Sequence, residues 1–194
     1  HTAYADAMSR LVQAYPDDVD VAALAADALV NVTAWALWDS RTGEPAPGSR
    51  VVEAKKILDD ALATAAGREH PGILHLYLHT MEMSTRPQEA LPAADLLRGL
   101  VPDAGHLEHM PSHIDIRLGH YQKAVIANQK GIESDLRYVE KAGAGGFYTL
   151  YRAHNYHFLT YAAMFTGQKG LAMNAARELV REVPLELVRA YPEY

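Results

Sequence analysis

An all-α fold made of helical hairpins is what this sequence predicts, and three observations predict it. Apolar residues recur at the helical period along nearly the whole chain. Helix breakers fall at regular intervals, and the chain repeats itself at a spacing of 34 residues, seen between His75 and His109. The chain has 194 residues, 49% hydrophobic and 22% charged. That is a soluble globular composition, with enough length for one ordinary domain and a sizeable core. The formal net charge of −6 argues against a general binder of nucleic-acid phosphates. The most apolar stretch, Val19 to Trp38, is broken by Asp20, Asp27 and Asn31, so no membrane-spanning helix is expected. There is no cysteine, which excludes disulfides, thiolate nucleophiles, Fe–S clusters and cysteine-based zinc fingers, and leaves the compartment open. His1 to Tyr15 lacks the basic leader and apolar block of a signal peptide. His1 is not an initiator methionine, and Pro192-Glu193-Tyr194 follows just after a new periodic stretch begins. A processed product or a piece of a longer chain is therefore expected.

The elements follow in order. Val21, Leu24, Ala25, Ala28, Leu29 and Val32 keep i, i+3, i+4, i+7 spacing, as do Val52, Ile57, Leu58, Ala61 and Leu62. Breakers stand at Pro16, Gly43 to Gly48, Gly67 to Pro71, Pro87, Pro102 to Gly105, Gly119, Gly143 to Gly146, Gly167 and Pro184. They divide the chain into about nine helices of roughly 12–20 residues, joined by short connections. Helices joined so tightly run antiparallel as hairpins. Tyr77, Met81, Met110, Ile114, Met164 and Phe165 are expected in the helix-packing core, and Glu133 to Lys141 on a solvated face.

The repeat sharpens this picture. His75 and His109, His79 and His113, and Ala90 and Ala124 are each 34 apart. His109 to His157 and Gly119 to Gly167 span 48, one period plus a 14-residue insertion that the Gly-rich segment accounts for. Leu118-Gly119-His120-Tyr121-Gln122-Lys123-Ala124 resembles the turn between the two helices of a tetratricopeptide repeat, whose period is about 34 residues. Ala90, Ala124 and Ala172 match that family's small residue early in the second helix, and Pro102 and Pro184 its closing proline. The resemblance covers about 19–184. It departs at Thr85, where the turn glycine is missing, and at Pro111 inside the first helix of a repeat. It implies one domain over 1–194, with loose repeats in 1–70, repeats at 71–104, 105–138 and 153–186, and an insertion at 139–152. Such repeats stack into a right-handed superhelix, an α-solenoid with a concave groove. Exposed terminal repeats then call for flanking sequence or self-association.

Counting from the aligned glycines, the family's groove positions carry His75 and His79, His109 and His113, then His157 and Tyr161. Position two gives His106 and His154, and the looser first repeat gives Ala23 and Asp27. Helix geometry agrees without the family, because residues at i and i+4 share one face. If the helix runs on through Pro111, His109 and His113 form such a pair; if Pro111 opens a helix, His109 belongs to the incoming loop. H-x-x-x-H on a helix is a two-ligand module for divalent metals, and two modules supply the three or four nitrogens that zinc or copper sites use. Glu82 lies on the stripe of His75 and His79, but a straight helix cannot offer all three to one ion, so one or two ions are possible. A Glu82 contribution favours iron or manganese, whereas an all-imidazole set favours copper or zinc. Asp27 is a candidate ligand or orienter. His1, His70 and His120 are assigned to surface or turn roles.

The segment Gly143-Ala144-Gly145-Gly146-Phe147-Tyr148 lacks the Lys-Ser/Thr ending of a phosphate loop. It reads instead as a connection bringing Tyr148, Tyr151 and Arg152 near His154 and His157, where Tyr148, Tyr161 and Arg152 are candidate ligand contacts. Two functional classes follow. One is a metal-binding repeat protein with a histidine-lined groove, whose use of the metal in catalysis is left open. The other is an interaction module holding an extended peptide or small molecule in that groove. The family's terminal-carboxylate grooves use Lys, Arg and Asn, where this chain has His, Tyr and Asp. Glu108-His109-Met110-Pro111-Ser112-His113-Ile114 is also similar to large bacterial repeat proteins described only by their repeats.

Overall fold

A computed structural model describes residues 1–190 apart from 35, 144, 145 and 147. Ala144, Gly145 and Phe147 of the Gly-rich segment, and the closing Pro192-Glu193-Tyr194, lie outside the described residues. The described chain is all-helical and divides into two compact units, His1–Leu100 and Val101–Tyr194.

In the first unit, α1 (Thr2–Ala14), α2 (Val19–Val30), α3 (Val51–Leu62), α4 (Ala65–Glu69), α5 (Pro71–Glu82) and α6 (Leu91–Leu97) follow in order, with a 3₁₀ turn at Pro87–Ala90. Asp18 caps α2 by accepting from the Asp20 and Val21 amides, satisfying donors that the first helical turn leaves over. His70 does the same for α5, its Nδ1 accepting from the Ile73 amide, while Pro71 takes the first helical position, where a missing N–H costs nothing. That is the turn role expected of His70. Small residues dominate the core: Ala5, Ala25, Ala28 and Ala54 surround Met8 and Leu29, letting the α1, α2 and α3 backbones approach closely. The irregular stretch between α2 and α3 is pinned to α5, where the Trp38 indole donates to the Thr80 carbonyl at 2.7 Å. Where Thr85 replaces the expected turn glycine, Ser84 Oγ closes the end of α5 by donating to the Met81 carbonyl.

The second unit contains α7 (Gly105–His109), α8 (Pro111–Arg117), α9 (Tyr121–Ala142), α10 (Tyr148–Phe165), α11 (Lys169–Glu182) and α12 (Leu185–Ala190). Successive helices α9, α10 and α11 pack as hairpins over Ala124, Val125, Tyr156, Leu159, Ala162, Ala163, Ala172 and Ala175. Gly119 and Gly167 sit at φ +77° and +71°, the left-handed conformation that a repeat turn needs and glycine adopts freely. No described helix is long and apolar enough to cross a membrane.

Several expectations are corrected. Twelve α-helices are described rather than about nine, because Thr64 caps the short α4 and prolines subdivide the predicted helices. Pro111 neither leaves its helix continuous nor puts His109 in a loop: His109 closes α7 and α8 opens at Pro111. Met110 keeps helical dihedrals of −50° and −41°, so the turn carries through the proline. Leu24 and Val52 face solvent, as do Met164 and Phe165, placed above in the core. α9 extends to Ala142 and α10 begins at Tyr148, so the 139–152 insertion is largely helical at both ends. In the stretch expected to be solvated, Ser134 and Asp135 are buried, since that face of α9 meets α7 and α10.

Candidate metal centre in the second unit

Three imidazoles converge within the second unit. α7 supplies His109, α8 supplies His113 and α10 supplies His154, and one ring nitrogen of each lies within 4.8 Å of the others. His109 Nε2 is 2.9 Å from His113 Nε2, and His154 Nε2 is 3.3 Å from His113 Nε2. Two nitrogens bound at about 2.0–2.1 Å to a tetrahedral ion stand roughly 3.3 Å apart, so these spacings suit a shared ion. His109 is fully buried and His113 nearly so. Burial, followed by the neighbouring His113 and His154, pushes the His109 imidazole well below its ordinary pKa, and the hydrogen bond to the Asn128 amide oxygen opposes this only in part. His109 is therefore a neutral imidazole at neutral pH, the form that ligates metals.

The walls are aromatic. The Phe158 ring, one turn beyond His154, lies 4.9 Å from His109, 4.5 Å from His113 and 4.5 Å from His154 between centroids. His106 stacks at 5.9 Å on His109, and Tyr151 meets the His106 ring edge-on at 4.9 Å.

Helix α9 sets these elements in place. Asn128 Oδ1 is 2.7 Å from His109 Nδ1. One turn on, Gly131 lets α9 touch its neighbours: a Cβ there would fall 2.8 Å from the Gly105 carbonyl and 3.2 Å from His109 Cβ. Farther along, Asp135 accepts from the Tyr148 hydroxyl at 2.5 Å and from Asn155 Nδ2 at 2.7 Å, tying α10 to α9 on both sides of His154. Burial raises the Asp135 carboxyl, and the hydrogen bonds from Tyr148 and Asn155 and the charge of Arg152 pull the other way. Burial and then the bond to Asp135 push the Tyr148 phenol up.

Of the residues singled out from the sequence, the second unit thus groups His109, His113 and His154, with His106 alongside. His157 and Tyr161 are on α10 but exposed. Tyr148 reaches α9, and Arg152 is buried and paired with Glu182 of α11. In the first unit, His75 and His79 share α5 with ring centroids 4.7 Å apart, and His79 Nδ1 lies 2.9 Å from Glu82 Oε1. Asp27 is exposed and holds Asn31 at the end of α2. Sequence reasoning missed Asn128, Gly131, Asp135 and Asn155. The signal was available in α9, where Asn128, Gly131 and Asp135 recur at i, i+3, i+7, a polar and small stripe on one helix face.

No family model and no curated protein matches the sequence. Among solved structures, a crystal structure of MamA protein is similar with a TM-score of 0.59 at 15% identity, covering 98% of this chain and 84% of that one. A second crystal structure of MamA gives a TM-score of 0.59 at 14% identity, over 98% of this chain and 90% of that one. The likeness shows the fold: helical hairpins of the tetratricopeptide-like α-solenoid class.

Proposed function

We propose that this protein is a tetratricopeptide-like repeat protein that binds a transition-metal ion through His109, His113 and His154. The observation that carries the reading is the convergence of three imidazole nitrogens from three helices within 4.8 Å. Bringing three imidazoles together with two of them buried costs desolvation that an ion shared among their lone pairs offsets. Among the described residues no carboxylate joins this group, and an all-imidazole set suits copper or zinc better than the harder ions. Three protein ligands leave a position for water or an incoming ligand.

A second reading, an interaction scaffold, is favoured by α10, where Tyr161, Met164 and Phe165 are exposed and Phe165 stacks on Tyr121 at 4.6 Å. Exposed aromatic surface of this kind suits a peptide partner.

Elemental analysis of the tag-free protein, purified without chelator, separates the two readings. The expected result is near-stoichiometric copper or zinc that His113→Ala and His154→Ala each lose and His157→Ala retains. Wild-type protein that carries no metal and takes up none when zinc or copper is added overturns the metal reading.

A further inference from the structure

We infer that Asn128 is a positioning residue that holds His109 as its Nδ1–H tautomer, so that the Nε2 lone pair is turned toward His113 and His154. The inference deepens the metal reading and, for its consequences on affinity, rests on it.

The hydrogen bonds leave one consistent assignment. Asn128 Nδ2 donates to the Ala124 carbonyl at 2.8 Å, and a carbonyl only accepts. That bond puts the amide oxygen, not the nitrogen, at 2.7 Å from His109 Nδ1. An amide oxygen also only accepts, so an unprotonated Nδ1 would set two lone pairs against each other at that distance. The proton is therefore on Nδ1, and Ser112 Oγ at 3.3 Å takes the weaker share of the same donor. A neutral imidazole has one N–H, which leaves His109 Nε2 as an acceptor.

A second assignment follows. His109 Nε2 and His113 Nε2 are 2.9 Å apart, a hydrogen-bond distance that needs one proton between them. With His109 as acceptor, metal-free His113 donates from Nε2. An ion held by both Nε2 atoms needs both lone pairs. The His113 proton then leaves Nε2 for solvent and another is taken up at Nδ1, with no net change in charge. His109 is preset for the ion, whereas His113 changes tautomer to receive it.

Partners of this kind set the ring orientation and basicity of a ligating histidine, and their loss typically costs about 10–100-fold in metal affinity. Asn128 has the placement for it: it is fully buried and anchored to its own helix, so it cannot follow a ring that rotates away.

The test uses imidazole ¹⁵N–¹H NMR on the chelator-treated chain, together with zinc titrations of wild type, Asn128→Leu and Asn128→Asp. The expected spectra place the proton on Nδ1 of His109 and on Nε2 of His113 without metal, and on Nδ1 of both with zinc. Asn128→Leu is expected to lose the fixed His109 tautomer and to bind zinc about 10–100-fold more weakly. Asn128→Asp, which keeps an acceptor, is expected to restore both. A His109 proton on Nε2 in the wild type overturns the inference. So do equal zinc affinities in wild type and Asn128→Leu, or equal losses in the Leu and Asp variants, which would mark Asn128 as structural only. If the wild type takes up no zinc, the metal reading falls, and the metal-free spectra alone decide the tautomer.

Discussion

The two H-x-x-x-H pairs, His75 with His79 in the first unit and His109 with His113 in the second, have the same spacing in different surroundings. On α5 the pair sits partly exposed, and His79 Nδ1 faces the Glu82 carboxylate of its own helix at 2.9 Å. In the second unit the pair is buried, and a third imidazole arrives from α10. His109 Nδ1 there faces a neutral amide from α9. Burial and the neighbouring imidazoles keep the His109 ring neutral. Identical spacing thus lies in two different surroundings, set by the elements packed around each pair.

The contrast can be broken where the second unit is tightest. Gly131→Ala, whose Cβ would fall 2.8 Å from the Gly105 carbonyl, is expected to push α9 off α7 and lower stability by about 2–3 kcal/mol. Urea unfolding measures this, and an unchanged midpoint would show that α7 and α9 do not need that close approach. Comparing matched substitutions sharpens the contrast. His109→Ala empties a buried site and leaves the Asn128 oxygen without its donor, an expected loss of about 1–3 kcal/mol. His79→Ala removes a partly exposed pair and is expected to cost about 1 kcal/mol or less. Equal losses in the same urea series would mean that the two pairs are energetically alike.

The smallest effect concerns pH. The folded state raises the Asp135 carboxyl above its ordinary value, chiefly through burial, so the folded chain binds that proton more tightly than the unfolded chain does. Its contribution to stability is fully present below about pH 4, the unfolded pKa, and is lost as pH rises through the folded value. Asp135→Asn should flatten the stability profile of the metal-free chain in that window. A profile that falls just as steeply in the variant assigns the effect to other groups.

The helical-hairpin fold was legible because it is written in local terms. Apolar periodicity and the turn glycines Gly119 and Gly167 act within one or two turns, and the 34-residue echo of His75 in His109 repeats that local pattern along the chain. Expectations failed where a helix face had to choose its neighbour: Met164 and Phe165 share the apolar character of Met110 and Ile114 yet face solvent. The candidate site was legible as residue types and as pairs. Its grouping was not, since His154 rather than the repeat-equivalent His157 joins His109 and His113.

By itself the sequence determined the all-helical class, the hairpin repeat and the unusual supply of histidines, because period, breakers and composition act through the backbone and through near neighbours. The tertiary structure alone decided which imidazoles meet, which nitrogen of His109 carries the proton, and that Asp135 is buried. Those outcomes depend on the approach of α9 to α7 and α10, a distance that the glycines at 105 and 131 set and that no helical period encodes.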